Sequence, residues 1–159
     1  MTASRELKIG ATAPKFTLPG FPEQKYRLSD ALSKGPVVVY FYPRDDTPGC
    51  TTEACGFQEI LPKLEKLKAT VFGISGDDPV SHEKFARKFG LKFPLLSDVD
   101  HKICEKYGVW VEKNMYGKKS MGIQRATFLL GTDGKIAAIW PKVKVEGHVE
   151  EVAEALADL

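Results

Sequence analysis

A cysteine at a turn offers the clearest chance of chemistry in this sequence, within 43-PRDDTPGCTTEAC-55. Cys50 follows Thr47 and Pro48, and Cys55 comes five residues after Cys50. Threonine is a good N-cap residue and proline suits the first helical position, so the pattern predicts a helix with Cys50 in its first turn. Unpaired backbone N–H groups and the positive end of the helix dipole favour a thiolate there. Because the thiolate is the nucleophilic form of cysteine, the pattern indicates a reactive Cys50.

Two acidic neighbours bear on this interpretation of Cys50. Asp45 and Asp46 oppose a thiolate if their carboxylates point inward, so a nearby cation would also be needed. The alternative is that Cys50 is a small apolar residue buried at a helix start, as free cysteines often are. The polar, turn-forming residues around it favour the reactive interpretation.

The cysteine and histidine spacings do not favour a metal site. The C-x4-C pair is not the usual C-x2-C clamp, and the three histidines fall in separate segments. The sequence also has no glycine-rich phosphate-binding motif. We therefore expect neither a metal ion nor a nucleotide cofactor.

The elements that must position Cys50 follow from the hydrophobic pattern. Residues 37–42 form a continuous apolar run, typical of a strand buried on both faces, that leads into the turn. Apolar residues over 54–67 have helical spacing, with Pro62 inside the pattern, where we expect a kink or a break. The other predicted elements are a hairpin of 16–18 and 25–28, a strand over 70–75, helices over 80–89 and 99–107, a hairpin of 126–130 and 135–140, and a helix over 147–159.

This order of elements predicts an α/β protein of thioredoxin-like fold. Such a fold has a mixed central sheet flanked by helices on both faces, here with an N-terminal β-hairpin. A flavodoxin-like parallel sheet is the alternative, and the hairpin around 131-GTDG-134 argues against it. No linker or repeat divides the 159 residues, so we expect a single domain over 1–159.

Composition indicates a soluble globular protein, with 43% hydrophobic and 28% charged residues. The net charge of +2 arises from 23 basic and 21 acidic residues spread along the chain, so we expect no nucleic-acid partner. No apolar run approaches the roughly 20 residues of a membrane span, and the N-terminus has no apolar stretch of secretory length. We therefore expect no membrane association and a cytoplasmic location, where thiols are kept reduced.

Several segments of the sequence resemble one enzyme family. Pro43-x-x-x-Thr47-x-x-Cys50 is similar to the P-x-x-x-T-x-x-C signature of peroxiredoxins. The longer string 39-VYFYPRDDTPGCTTEAC-55 closely resembles the peroxiredoxin Q, or bacterioferritin comigratory protein, branch. Further likenesses follow in the same order at 73–75, 81–85, 94–98, 113–118 and 123–130. The resemblance covers most of the chain and implies a thiol-dependent peroxidase.

The resemblance implies a role for each residue of the motif. Cys50 would be the peroxidatic cysteine, which attacks the terminal peroxide oxygen and becomes a sulfenic acid. Thr47 would place its hydroxyl against the peroxide, and Pro43 would shield the sulfur from water. Arg125 would stabilise the thiolate and the charge that develops on the leaving oxygen. The alternative for Arg125 is a surface arginine at the start of a strand.

The resemblance also implies that Cys55 is the resolving cysteine, which forms a disulfide with oxidised Cys50. In this branch that cysteine can instead lie in the next helix or be absent, and the helix predicted over 80–89 contains none. Cys104 lies in 99-VDHKICEKYGVW-110 at core-like spacing, which favours a buried structural thiol over a back-up resolving role. The family further implies hydrogen peroxide and alkyl hydroperoxides as substrates, thioredoxin or a similar dithiol reductant, no bound cofactor and a monomer.

Two other functions remain open for the same pair of cysteines. A thioredoxin-like disulfide reductase would use such a pair, although the C-x2-C spacing is missing. A non-enzymatic redox switch or holdase would use Cys50 and Cys55 to expose a binding face. An insulin-reduction assay separates the disulfide reductase from a peroxidase. Peroxide consumption in the presence of a thioredoxin system separates the switch from a peroxidase.

Overall fold

Residues 7–159 are described by a computed structural model, Met115 by its main chain alone. Residues 1–6, part of the predicted single domain of 1–159, lie outside the described residues. The strands are β1 (Thr17–Phe21), β2 (Gln24–Arg27), β3 (Val37–Phe41), β4 (Thr70–Ser75), β5 (Leu95–Ser97), β6 (Trp110–Met115), β7 (Lys118–Ile123), β8 (Ala126–Leu130) and β9 (Ile136–Trp140). The helices are α1 (Leu28–Leu32), α2 (Pro48–Lys66), α3 (Pro79–Phe89), α4 (Lys102–Lys106) and α5 (His148–Ala157).

Seven of the strands form one mixed sheet in the order β2-β1-β5-β4-β3-β8-β9. β3, β4 and β5 run parallel to one another, whereas β8 is antiparallel to β3 and β9 is antiparallel to β8. β1 and β2 form the N-terminal hairpin, and β1 also pairs with β5 in antiparallel fashion. The predicted mixed sheet and N-terminal hairpin are therefore confirmed, and the parallel flavodoxin-like alternative is wrong.

The central strand β3 separates two apolar core layers. All five of its side chains are buried, and their directions alternate as the pleat of a strand requires. Val37, Val39 and Phe41 face the layer that includes α1 and α4, whereas Val38 and Tyr40 face the layer that includes α2, α3 and α5. Helices thus cover both faces of the sheet, as the sequence predicts.

Helix α2 begins at Pro48 and continues past Pro62 to Lys66, so the possible break at Pro62 does not occur. An interior proline costs a helix about 3 kcal/mol, since it removes one hydrogen bond and crowds the preceding turn. Leu61 and Leu64 flank the proline and are buried in the core, and each buried leucine is worth about 1.5–3 kcal/mol. Core packing on both sides of Pro62 offsets its cost.

Two elements of the structure differ from the sequence prediction in the segment before Arg125. The helix predicted over 99–107 is wrong at its start: His101 has a φ of 62°, and α4 occupies only Lys102–Lys106. The β6–β7 hairpin was not predicted, because its strands are mostly exposed and lack the alternation of a half-buried strand. Its turn at Tyr116 and Gly117 has positive φ at both residues, as two-residue hairpin turns favour.

The described part of the chain contains the short strand β5, which the sequence analysis also missed, since three residues are too few to show a period. Of the helices within residues 7–159, none combines the length and the apolar character that crossing a bilayer requires.

Candidate active site

Cys50 lies where the central strand β3 leads into helix α2. The chain leaves β3 after Phe41 and turns through the loop 42–47, and Pro48 occupies the start of the helix. Cys50 is in the first turn of α2, as predicted, with only 1% of its surface exposed. All three cysteines carry free thiols. The thiol therefore lies at the positive end of a 19-residue helix and in a nearly dry environment.

Arg125 reaches Cys50 although 75 residues separate them along the chain. The register of the sheet pairs Phe41 at the end of β3 with Ala126 at the start of β8, which places Arg125 beside the first turn of α2. Its Nη2 donates a hydrogen bond to Cys50 Sγ at 3.3 Å. A Cβ atom on Gly49 would lie 3.0 Å from the same Nη2, so glycine at this position keeps the path open. Arg125 thus contacts the candidate site at Cys50 and is not an isolated surface arginine.

Glu53 completes this group and was missed by the sequence analysis. Arg125 Nη1 donates to Glu53 Oε1 at 2.7 Å, and the Glu53 side chain is fully buried. Its second oxygen, Oε2, has no hydrogen-bond partner among the described residues. Burial raises the pKa of Glu53 to about 7, although the charge of Arg125 acts to lower it. The spacing from Cys50, three residues on a helix, puts both side chains on one face and could have revealed Glu53.

We expect Glu53→Gln to make the stability of the protein less dependent on pH. Burial raises the pKa of this carboxyl from its ordinary 4.5 to about 7, so the folded protein holds the proton more tightly than the unfolded chain does. The stabilising contribution is complete below about pH 4.5 and is lost as the pH rises through about 7. A difference of one unit between two pKa values corresponds to about 1.4 kcal/mol. The free energy of unfolding of the variant, relative to that of wild type, should therefore be about 3 kcal/mol higher at pH 8 than at pH 4.

Chemical denaturation of the reduced protein at both pH values measures this gain as the free energy of unfolding. Glu59→Gln is the matched control, because Glu59 lies on the same helix and is exposed. A stability difference between Glu53→Gln and wild type that is the same at pH 4 and pH 8 would contradict the prediction.

The two acidic residues of the loop are engaged by α3. Asp45 is buried, and its carboxylate accepts hydrogen bonds from Tyr42 Oη at 2.6 Å and Ser81 Oγ at 2.8 Å. His82 Nδ1 lies 2.7 Å from the same carboxylate, and this histidine is fully buried. Asp46 is exposed and pairs with Lys88 at 2.9 Å. Partners on α3 therefore offset both carboxylates.

Thr47 and Pro43 lie in the loop that precedes Cys50. Thr47 occupies the N-cap position of α2, but its side chain makes no capping hydrogen bond, which corrects the expectation of an N-cap interaction. The hydroxyl instead donates to the carbonyl oxygen of Arg44 at 3.0 Å, although Thr47 has the extended backbone that is usual for an N-cap residue. Pro43 is half-buried in the same loop.

The other two cysteines differ in environment. Cys55 is half-buried on α2, one and a half turns after Cys50. Cys104 is fully buried on α4, in the core layer on the opposite face of the sheet from Cys50. Burial, with a further contribution from Asp98, raises the pKa of the Cys104 thiol far above its usual range. Cys104 therefore has the properties of a structural thiol.

Within residues 7–159, the site included, no three His, Cys, Asp or Glu side chains converge in a way that could hold a metal ion.

Comparison with known proteins identifies relatives over nearly the whole chain. Residues 9–139 match the AhpC/TSA family. A putative peroxiredoxin Bcp from Coxiella burnetii is 51% identical over 150 residues, which cover 94% of this chain and 99% of the relative. Peroxiredoxin Bcp from Bacillus subtilis is 43% identical over 153 residues, with 96% and 97% of the two chains covered.

Solved structures agree with the sequence relatives. A PrxQ mutant from Xylella fastidiosa superposes with a TM-score of 0.90 at 40% identity, over 97% of this chain and 98% of that one. The bacterioferritin comigratory protein of Xanthomonas campestris, studied for alkyl peroxide reduction, has a TM-score of 0.86 at 42% identity over 96% of each chain. These matches confirm the predicted thioredoxin-like fold. The chain belongs to the AhpC/TSA family and, within it, to the peroxiredoxin Q or Bcp branch of thiol-dependent peroxidases.

Proposed function

We propose that this protein reduces hydrogen peroxide and alkyl hydroperoxides with Cys50 as the nucleophile and Cys55 as the resolving cysteine. The observation that carries the proposal is the buried Cys50 thiol in the first turn of α2, 3.3 Å from the guanidinium of Arg125. The alkyl peroxide reduction studied in the Xanthomonas relative supports the substrate class. Membership of a peroxidase family favours this function over a disulfide reductase or a non-enzymatic switch.

The first step is the attack of the Cys50 thiolate on the terminal oxygen of the hydroperoxide. An S–O bond forms and the O–O bond breaks, which leaves a sulfenic acid on Cys50 and an alkoxide that takes up a proton. Arg125 stabilises the negative charge as it moves from sulfur to the leaving oxygen. The Thr47 hydroxyl donates to a backbone carbonyl, so its oxygen keeps lone pairs that can accept the O–H of the peroxide. Pro43, half-buried in the same loop, shields the sulfur from water in this proposal.

The second step joins Cys50 and Cys55, which requires a change in α2. Both residues lie on one continuous helix, where five residues give a rise of about 7.5 Å, a rotation of about 500° and a Cα separation of roughly 8.7 Å. A disulfide needs about 4.4–6.8 Å between Cα atoms. We infer that the segment around 47–57 unwinds, after which the Cys55 thiol attacks the sulfenic acid and releases water.

Glycines and packing contacts set the cost of this unwinding. Gly49 and Gly56 weaken the helix, since glycine is about 0.8–1.0 kcal/mol poorer than alanine in a helix interior. Gly56 also packs closely against α5, because a Cβ atom there would lie 2.9 Å from Val149 Cγ2. The fully buried Phe57 anchors the end of the segment. Unwinding should therefore stop near Phe57 and loosen the contact with Val149.

We expect one equivalent of hydrogen peroxide to convert the reduced protein to a form with a Cys50–Cys55 disulfide and a free Cys104. Peptide mapping by mass spectrometry under non-reducing conditions identifies the bond. Hydrogen exchange should become faster over 47–57 after oxidation and remain unchanged in β3, which serves as the internal control. A bond to Cys104, or a disulfide without faster exchange in this segment, would contradict the proposed second step.

Recycling requires an external reductant in this proposal. An unwound segment would present the Cys50–Cys55 disulfide to the thiolate of a thioredoxin-like dithiol protein, which forms a mixed disulfide and then resolves it with its second thiol. We also propose that the protein acts as a monomer in the cytoplasm, since the site is built from residues of one chain and the reaction needs a supply of reduced dithiol.

A further inference from the structure

One cation serves two acidic groups at the centre of the site. The guanidinium of Arg125 donates to Glu53 Oε1 at 2.7 Å and to Cys50 Sγ at 3.3 Å. When the carboxyl and the thiol are both ionised, Arg125 balances only one of the two negative charges. Both side chains are buried, where an unbalanced charge is costly. A second positive charge near Cys50 would relieve this imbalance.

Lys113, on the β6–β7 hairpin, lies within the electrostatic field of the site. The hairpin register pairs Trp110 with Ile123, which brings the base of the hairpin next to Arg125. The Lys113 side chain is half-buried, and its burial lowers the pKa of the ammonium. The charge of Arg125 lowers that pKa further, whereas the charge of Cys50 raises it. The ammonium of Lys113 is therefore electrostatically coupled to Arg125 and to Cys50.

Gly122 provides the surface on which the Lys113 side chain rests. A Cβ atom at Gly122 would lie 3.0 Å from Cδ, 3.2 Å from Cε and 3.6 Å from Nζ of Lys113. The stem of the lysine therefore crosses the bare backbone of β7 three residues before Arg125. The conformation of Gly122 is not left-handed, so the backbone itself does not demand glycine. A larger residue at this position would push the lysine stem aside by a few tenths of an ångström.

The other ionisable groups around the site do not supply the missing positive charge. His148, on α5, has a pKa that burial lowers below its usual value, so its ring is neutral at neutral pH. Tyr40, on β3, has a pKa raised well above its usual value by burial and by the nearby acids, so it stays neutral. Asp45, in the loop, is an acid, and side chains of the loop and α3 already bond its carboxyl group. Within residues 7–159, no carboxylate lies within ion-pair distance of Lys113. The charge of Lys113 is therefore available to the site.

We propose that Lys113 is the second cation of the peroxidatic site. Lys113 lies across Gly122, and its positive charge offsets the negative charge of Glu53. Arg125 then remains available to balance Cys50, which favours the ionised form of the thiol. In this proposal Lys113 acts on Cys50 through its positive charge and does not contact the reacting atoms. The inference rests on Cys50 as the proposed nucleophile and goes beyond the roles assigned above.

The test follows the alkylation of Cys50 by neutral iodoacetamide as a function of pH, in full-length protein carrying Cys55→Ser. With Lys113→Gln, we expect the midpoint of the alkylation curve to move about 0.5–1 pH unit higher at low ionic strength. In 1 M salt the shift should shrink, because the Debye length falls to about 3 Å. Lys119→Gln is the matched control, since Lys119 is on the same hairpin with 72% of its side chain exposed, and it should leave the curve unchanged.

Two further variants separate charge from structure. Lys113→Arg keeps the charge and should retain most of the wild-type midpoint. Gly122→Val keeps the lysine but occupies the space under its stem, so its midpoint should move in the same direction as that of Lys113→Gln. Coinciding curves for Lys113→Gln and Lys119→Gln would overturn the proposal, as would an equal shift in Lys113→Arg. Alkylation does not depend on peroxide, so failure of peroxide reduction in the wild type would count against the proposed function alone.

Discussion

Cys50→Ser should abolish peroxide reduction, with no activity above the rate of the protein-free reaction. A serine hydroxyl is not ionised at neutral pH and cannot become a sulfenic acid, so the first step has no nucleophile. The other thiols are poorly placed to substitute. Burial raises the pKa of the Cys104 thiol, and its core layer lies on the opposite face of the sheet. The hydrogen bond from Arg125 goes to Cys50, whereas Cys55 lies further along α2.

Peroxide consumption in the presence of a thioredoxin system measures the effect of Cys50→Ser. Cys104→Ala is the control, because it removes a thiol that the proposed reaction does not use, and it should keep most of the activity. Thermal unfolding of both variants shows whether they retain the fold. Residual turnover by folded Cys50→Ser would assign the nucleophile to Cys55 or Cys104.

Cys55→Ser should allow one round of peroxide reduction and then stop. Cys50 can still attack the peroxide, because its helix position and its contact with Arg125 do not involve the Cys55 side chain. The sulfenic acid then has no resolving thiol in reach, so a thioredoxin-like protein finds no disulfide to reduce. A second peroxide molecule would carry Cys50 to the sulfinic acid, which thiols do not reverse.

Stopped-flow kinetics and mass spectrometry distinguish the two steps in Cys55→Ser. The second-order rate constant for the first oxidation should stay close to that of wild type, while turnover with a thioredoxin system falls to background. Dimedone should label Cys50 in the oxidised variant and much less in wild type, where the disulfide forms. Unchanged turnover would show that another thiol, within the chain or outside it, resolves Cys50.

Local sequence patterns determined the parts of this protein that depend on near neighbours. The strand β3 follows from its apolar run, and the start of α2 follows from Thr47 and Pro48, so the position of Cys50 in a first helical turn was predictable. The hairpin of β8 and β9 follows from its turn residues. Resemblance to peroxiredoxins directed attention to Arg125, because nothing in its local pattern distinguishes it from a surface arginine.

Only the tertiary structure decided which distant groups meet at Cys50. The contact with Arg125 depends on the pairing of β3 with β8, a register that no short-range period records. The burial of Glu53 and the placement of Lys113 depend on how α2 and the β6–β7 hairpin pack around that contact. The spacing of apolar residues along the sequence indicates which face of a helix or strand is buried. It does not indicate which charged side chains meet, because strand register and the packing of distant segments bring those together. The proposed nucleophile could therefore be found in the sequence, but the charged groups around it had to be found in the fold.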